Sequence, residues 1–443
     1  MDSVAVYGVG RVGLVLAAAW CKAGYNVVGV DVNSELVERL NSLNLEFVEE
    51  QILREVVKEG LKAKTLTFTT DGLSASKNAT IHLIAVPTPI DWQSKKFDSS
   101  FLDSAVETIS TGLKKGDTVI LESSVPPGTT KNSVKPRLER KSGLVAEEDF
   151  YLAFSPERVY VGRAYEDLVK RYPKIVGGVG PKSTERVATL YSKIAEKGVI
   201  RVRDSTTAET TKLFEGIYRD VNIALANELA LFCQTLGVNY YEIQKAANTQ
   251  PYCHLHSPGP GVGGMCIPLY PYFVLEAAKE IGVQLPLVSL TRSINESMPS
   301  VTADFVLSYA RSLELRELKL AILGAAYRGN ISDSRNSPAV ELAITLKKKG
   351  FENIRVHDPF VFSDRKLKQF GIELTRDLKR ALKDANVVVV AVDHAEYSLL
   401  TLKEIKRLSG APKTLVVDTK GILKAENVDG VFFAALGVGK TSS

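Results

Sequence analysis

The apolar positions of the chain follow two alternating patterns. Short apolar runs bounded by glycine, aspartate or proline, such as the one leading into Gly8 and the one leading into Pro87, read as buried strands. Longer stretches with apolar residues every three to four positions read as helices. Residues 4–31 give one complete unit: a strand, a glycine turn, a helix through Leu14–Cys21 that closes at Gly24, and a second strand ending at Asp31. Further strands are predicted at 81–87, 117–124, 151–156 and 174–180. The same order recurs near the other end, with strands from Lys319, up to Asp358, from Asn386 and from Lys413.

Strands alternating with helices in this way make a doubly wound parallel sheet, and the recurrence predicts two related α/β domains of Rossmann-like form. Between them, residues 205–250 and 286–312 carry long helical periodicity, interrupted by an irregular segment rich in proline and glycine. The expected division is an N-terminal dinucleotide-binding domain over 1–200, a central long-helix region over 201–312 and a second Rossmann-like domain over 313–443. Long helices of this kind suit a homodimer formed through the central helix.

Composition narrows the function. At 45% hydrophobic over 443 residues, core material is ample for several domains. Lys and Arg exceed Asp and Glu by only 56 to 51 and are scattered, which argues against a nucleic-acid surface and is compatible with small anionic ligands. No run of eighteen apolar residues predicts a membrane span, and the N-terminus leads straight into a strand, so a soluble, cytoplasmic protein is expected. The four cysteines, Cys21, Cys233, Cys253 and Cys266, show neither disulfide nor zinc spacing, so no metal is expected.

Gly8-Val9-Gly10-Arg11-Val12-Gly13 follows a strand and opens a helix. Its first glycine makes the turn, its second admits a pyrophosphate to the backbone, and its third lets helix pack on strand. Asp31, at the end of the next strand, accepts ribose hydroxyls and repels a 2′-phosphate, which selects NAD over NADP. Gly324-Ala325-Ala326-Tyr327 lacks the fingerprint, so the second domain is expected to hold something else, such as a nucleotide diphosphate.

The run from Ser257 to Cys266 places four glycines and two prolines before one thiol, a loop that allows close approach of a ligand and sets the cysteine in an exposed, polar place. Cys21 and Cys233 lie within apolar helical patterns and read as core, whereas Cys253 is flanked by His254 and His256. A nucleophilic thiol together with NAD points to oxidation of an aldehyde through a hemithioacetal and a thioester, which water hydrolyses to the acid.

Taken in order, GVGRVG, VPTPID, SSVPPGTT, FSPER, TKLFEGIYRDVN, GPGVGGMC and SDSRNSP span nearly the whole chain and resemble the UDP-glucose/GDP-mannose dehydrogenase family. Members of that family carry out two successive NAD-dependent oxidations at C6 of a nucleotide sugar. The resemblance makes Cys266 the nucleophile, and Lys212 the group that stabilises the oxyanion or acts with water as base. It makes Glu157 an aid to proton transfer and thioester hydrolysis, and Ser124 the counterpart of a water-ordering threonine. On periodicity alone these last three are a solvated helix residue, a strand-end cap and a turn residue. Pro87, Thr88 and Ser124 join Gly8, Gly10, Val12, Gly13 and Asp31 as the implied cofactor contacts. Glu157, Arg158, Lys212 and the loop glycines Gly259, Gly261 and Gly263 are the implied sugar-nucleotide contacts. Arg328, Arg335 and Lys420 are placed to pair with pyrophosphate, with Arg219 and Asn222 on the central helix as further contacts.

Two positions depart from the family pattern. Gly216 stands where an asparagine is usual four residues after the lysine, and Tyr270 where an aspartate is usual four residues after the cysteine. Losing that carboxylate removes a proton-handling partner of Lys212. The expected substrate is UDP-glucose, oxidised to UDP-glucuronate, with UDP-N-acetylglucosamine or UDP-N-acetylmannosamine as the alternative. A two-electron dehydrogenase that needs no cysteine and a non-catalytic sugar-nucleotide binder are the competing readings.

Overall fold

The computed structural model describes residues 2–160, 162–315 and 317–439, and the chain divides into two compact units. One comprises the chain to Glu215 together with Tyr272–Val283; the other comprises Gly216–Pro271 together with the chain from Gln284.

The first unit is built on eight strands: β1 (Ser3–Tyr7), β2 (Asn26–Val30), β3 (Leu66–Thr69), β4 (Ile81–Ile84), β5 (Thr118–Leu121), β6 (Tyr151–Phe154), β7 (Lys174–Gly178) and β8 (Val199–Arg201). Their order is β3-β2-β1-β4-β5-β6-β7-β8, parallel except for the antiparallel pair β6 and β7. Gly177 and Gly178, the two β7 residues in that pair, lie where neighbouring backbone leaves no room for a side chain. A Cβ on Gly177 would lie 2.1 Å from the Asp204 carbonyl oxygen, and one on Gly178 would lie 2.5 Å from the Thr184 amide. Residues Val4 and Val6 of β1 pack into one core layer with Leu16, Trp20 and Tyr191, while Ala5 and Tyr7 pack into the other with Leu102, Ile109 and Phe150. Burial on both faces is why β1 reads as a continuous apolar run with no alternation. The strand order turns back between β1 and β4, which puts the loops after these two strands on either side of the switch point where doubly wound sheets bind ligands.

The second unit carries six parallel strands: β9 (Lys319–Leu323), β10 (Asn353–His357), β11 (Glu373–Thr375), β12 (Val387–Val390), β13 (Thr414–Asp418) and β14 (Val431–Ala435). Their order, β11-β10-β9-β12-β13-β14, repeats that of the first six strands, so the recurrence seen in the sequence is a recurrence of architecture. The 32-residue central helix Ser205–Leu236 carries residues of both units, and its part from Gly216 on is joined within the second unit to the helix Pro286–Ser312. The joint is a buried polar line. Arg292 Nη1 lies 2.7 Å from Asp220 Oδ1, and Asn295 Nδ2 donates to the same oxygen at 2.8 Å. Asn227 Nδ2 donates to Asn295 Oδ1 at 3.1 Å. Among the described residues no helix is long and apolar enough to cross a membrane.

Candidate active site

In the first unit, Gly8 has φ +85, and a Cβ there would meet the Ala85 carbonyl oxygen at 2.7 Å; a Cβ on Gly13 would fall 1.7 Å from the Gly8 oxygen. These two positions therefore have to be glycine. Gly10 has nothing within 4 Å of a Cβ position, which leaves its outer side open to a ligand. The helix Arg11–Lys22 starts at Gly10 with no side-chain cap and no acid in its first turn, and Val12 is half-buried there, so backbone amides and the helix dipole face an incoming anion. Asp31 Oδ2 accepts the Val9 amide at 3.0 Å and Oδ1 accepts the Asn33 amide at 3.0 Å. This fixes the carboxylate at the strand end with lone pairs remaining for ribose hydroxyls. The turn fits the pyrophosphate and ribose of NAD.

Across the switch point, exposed Pro87 and half-buried Thr88 follow β4, and half-buried Ser124 follows β5. Ser123 Oγ donates to the Val86 carbonyl at 2.7 Å and ties the two loops together. The loop after Ser124 is clamped in turn by Glu209 of the central helix, which accepts the Gly128 amide at 2.5 Å and the Thr130 amide and hydroxyl at 2.7 and 2.6 Å. Burial pushes the Glu209 carboxyl up to about 7 despite these donors. Lys212, half-buried, follows Glu209 by three residues on the same helix, so the clamp holds the segment that carries it.

Glu157 is buried. Its Oε2 lies 2.8 Å from Lys174 Nζ, and its Oε1 accepts the Arg158 amide at 2.8 Å. Lys174 also reaches Glu122 Oε2 at 2.7 Å, and the Tyr191 hydroxyl donates to the other Glu122 oxygen. Arg158 turns its guanidinium to Glu215 at 3.0 Å and to the Pro173 carbonyl.

In the second unit, Cys266 is exposed, whereas Cys21, Cys233 and Cys253 are half-buried or buried. The Cys266 carbonyl accepts the amides of Leu269 and Tyr270, both at 3.0 Å, so the cysteine opens the turn that becomes the helix Tyr270–Glu280. The glycines before it are shaped by close packing. A Cβ on Gly263 would sit 2.6 Å from Tyr327 Cβ, and Gly264 has φ +90 with the Tyr327 ring at 3.0 Å. The Gly264 amide donates to the Arg335 carbonyl at 3.1 Å, and Asn336 Nδ2 donates to the Gly264 carbonyl at 3.0 Å. The sequence segments GPGVGGMC and SDSRNSP thus meet as one structure. At the other end of the loop, Asn227 Oδ1 accepts the Gly259 amide at 2.9 Å, linking the loop to the buried polar line. Gly261, at φ +136, lies against the helix Pro286–Ser312.

The remaining cations of this unit take distinct places. Arg335 is held by Asp333 through Nη2 at 2.7 Å and Nε at 2.9 Å, and Lys420 lies beside Gly259, where a Cβ would come 3.2 Å from its Nζ. Arg328 is half-buried after the β9 turn. On the central helix Arg219 is half-buried, and Asn222 bends back to the Tyr218 carbonyl at 2.7 Å. The β9 turn itself is closed from inside. Asp358 Oδ2 accepts the amides of Ala325 at 2.7 Å and Ala326 at 2.9 Å and lies 3.0 Å from His394 Nε2. Burial works against the charge, but His394 and these amides win, holding the Asp358 carboxyl down to about 2. The next helix, Pro338–Lys348, is capped by the Ser337 side chain and begins with proline, so its first amides are not offered to an anion as those of Arg11–Lys22 are. This is the physical reason why the second turn differs from the first.

Sequence reasoning did not find Glu122, Lys174, Glu209 or Asn227. The signal was present for the first two: an acid and a base inside the apolar runs TVILES and PKIVGG, where a charge needs a buried partner.

The fold and site together define an NAD-dependent dehydrogenase made of a dinucleotide-binding domain and a second, related domain with a sealed turn. Models of the UDP-glucose/GDP-mannose dehydrogenase family match the chain in order: the NAD binding domain over residues 2–195, the central domain over 206–297 and the UDP binding domain over 321–425. The chain belongs to this family. It is 36% identical over 439 residues to a UDP-N-acetyl-D-mannosamine dehydrogenase of Pyrococcus horikoshii, with 98% of this chain and 99% of the relative covered. The solved structure of a UDP-D-ManNAc dehydrogenase from Pyrococcus horikoshii is similar with a TM-score of 0.89 at 34% identity, covering 98% of this chain and 99% of that one. The structure of a UDP-glucose dehydrogenase from Pyrobaculum islandicum is similar with a TM-score of 0.86 at 25% identity, covering 99% and 98%.

Proposed function

We propose that the protein oxidises the C6 alcohol of a UDP-N-acetylhexosamine, with UDP-N-acetylmannosamine first among the candidates, to the carboxylate. The observation that carries the four-electron reading is Cys266, exposed and backbone-fixed at the head of a helix. The sugar assignment rests on the relatives, whose identity to this chain is higher on the N-acetylmannosamine side than for the UDP-glucose enzyme of similar fold. UDP-glucose, the expectation from sequence, gives way to the alternative on that ground.

NAD, held by the Gly8–Gly13 turn and Asp31, supplies the hydride acceptor for both oxidations. The protein's own part begins when the Cys266 sulfur forms a bond to the C6 aldehyde carbon, and Lys212 balances the charge on the aldehyde oxygen. Oxidation at that carbon leaves a thioester. Water, held by Ser124 and giving a proton to Glu157, then breaks the carbon–sulfur bond, which releases the carboxylate and restores the thiol. Arg328 and Lys420 pair with the pyrophosphate of the substrate, whereas Gly259, Gly261 and Gly263, expected from sequence to let it approach, are taken up by packing against Lys420, Pro338 and Tyr327. Arg219 and Asn222 remain as sugar or uridine contacts, Arg158 is turned instead to Glu215 and Pro173, and Arg335 stiffens the loop from Asp333.

The test is NADH yield per sugar across UDP-N-acetylmannosamine, UDP-N-acetylglucosamine, UDP-glucose and GDP-mannose. Two NADH per sugar, highest kcat/KM on an N-acetylated substrate and no acid from Cys266→Ser are expected. One NADH per sugar, or a preference for UDP-glucose, contradicts the reading.

A homodimer through the central helix is proposed as well. Tyr218, Leu225, Phe232 and Leu236 are exposed on that helix, 43% or more in each case. At about 100° per residue they fall within roughly 40° of one another, a narrow apolar stripe with the seven-residue repeat that a like helix matches.

A further inference from the structure

We propose that Lys174, itself held by Glu122, is a positioning residue that orients the Glu157 carboxylate for accepting a proton. This rests on the reading of Glu157 as the group that accepts a proton from water.

The geometry is closed on one side and open on the other. Lys174 Nζ has three acceptors, Glu122 Oε2 at 2.7 Å, Glu157 Oε2 at 2.8 Å and the Pro156 carbonyl at 3.3 Å, which matches the three protons of an ammonium. The side chains of Glu122 and Lys174 are 0% and 4% exposed, so Glu122 cannot exchange this partner for water. Tyr191, 0% exposed, fills the remaining Glu122 oxygen, and the edge of its ring contact is Trp20, with centroids 5.4 Å apart. Glu157 lines a small cleft with Arg158, Tyr172 and Lys174.

Charge counting then decides where a proton goes. The groups facing Glu122 from the packed elements are Lys174 at the start of β7, Glu157 after β6 and Tyr191 on the helix Pro181–Tyr191. Arg158, the next cation, is committed to Glu215 and Pro173. With both carboxyls ionised the cluster carries one net negative charge in a buried place, which is unfavourable enough to draw in a proton. The closed side takes it: burial pushes Glu122 up to about 7, against the pull of Lys174. With Glu122 taking the proton of the buried cluster, the Lys174 ammonium is left to balance and hold Glu157.

Infrared titration of the full-length, unliganded protein reads this without any turnover. A protonated-carboxyl band that titrates near pH 7 is expected in the wild type. It should be lost in Glu122→Gln and kept in Glu209→Gln, which removes only the component of the other buried acid. The kinetic arm uses the pH profile of acid formation: Glu122→Gln is expected to move the acidic limb of kcat downward by about one pH unit, with KM for the UDP-sugar within about twofold. Lys174→Met is expected to move the limb upward, and Lys174→Arg, which keeps the charge beside Glu157, to hold it near the wild-type position. An unchanged titrating band in Glu122→Gln, or an unmoved limb with only a loss of thermal stability, overturns the proposal. Failure to oxidise any UDP-sugar would remove the reading of the reaction while leaving the infrared result to stand.

Discussion

Gly216 and Tyr270 fill one space: a Cβ at 216 would come 2.3 Å from Cδ2 of the Tyr270 ring. The two departures from the family pattern are therefore a single steric exchange, in which a larger side chain at 270 requires none at 216. Tyr270 is 4% exposed and its amide donates to the Cys266 carbonyl, so the ring's seat on the central helix also seats the cysteine turn. Gly216→Ala is expected to cost about 1–3 kcal/mol by overpacking, measured by urea denaturation. It should also lower kcat on the order of tenfold by shifting Cys266. Gly216→Asn and Tyr270→Asp should each be worse alone than combined. A double-mutant cycle with less than about 0.5 kcal/mol of coupling would show that the positions act independently.

Glu209 gives a pH signature. Its folded pKa of about 7 lies above the unfolded value, so the protein takes up a proton here on folding. The associated stabilisation is complete below the ordinary glutamate value of 4.5 and is lost as pH rises through 7. Relative to wild type, Glu209→Gln should therefore gain in melting temperature as pH rises from 4.5 to 8. Two parallel curves over that range would refute this.

Asp358 has the opposite sign. Its folded pKa of about 2 is below the ordinary 3.8, so its contribution is present above 3.8 and is lost as pH falls through 2. Asp358→Asn is expected to remove acceptor capacity from Ala325, Ala326 and His394 and to destabilise the protein by about 2–4 kcal/mol near neutral pH. Chemical denaturation checks it, and a loss below about 0.5 kcal/mol would mean that the turn holds without the carboxylate.

At the first glycine turn, Asp31→Ser is expected to raise the kcat/KM ratio of NADP to NAD by at least about tenfold, since removing the carboxylate removes repulsion of a 2′-phosphate. Unchanged discrimination would place cofactor choice elsewhere.

For the central helix, Leu225→Asp with Phe232→Asp is expected to convert a dimer into a monomer by light scattering after gel filtration, with the far-ultraviolet circular dichroism unchanged. A monomeric wild type, or a double variant that stays dimeric, would rule out this face.

The fully buried strands were legible because burial on both faces writes a nearly continuous apolar run, as in IHLI and VVVV. Strands β3, β8 and β11 were not, since LTFT, VIR and ELT are only partly buried and carry too little pattern to separate them from a loop. The glycine turn and Asp31 could be read because each residue type has one geometric reason to be there. What tied Glu157 to Lys174, or Gly216 to Tyr270, lay between residues far apart in sequence, and no local pattern encodes such a contact. The antiparallel insertion of β7 was hidden for the same reason: KIVGG reads as any buried strand, and its glycines show their purpose only against Asp204 and Thr184.

Both glycine turns keep a carboxylate of their own: Asp31 holds the Val9 amide as Asp358 holds those of Ala325 and Ala326. What separates the duplicated halves is the start of the next helix. Arg11–Lys22 begins with no side-chain cap, whereas Pro338–Lys348 begins with proline under the Ser337 hydroxyl. Adding glycines to the β9 turn would therefore not create a second dinucleotide receptor, because the helix behind it would still present a cap in place of free amides.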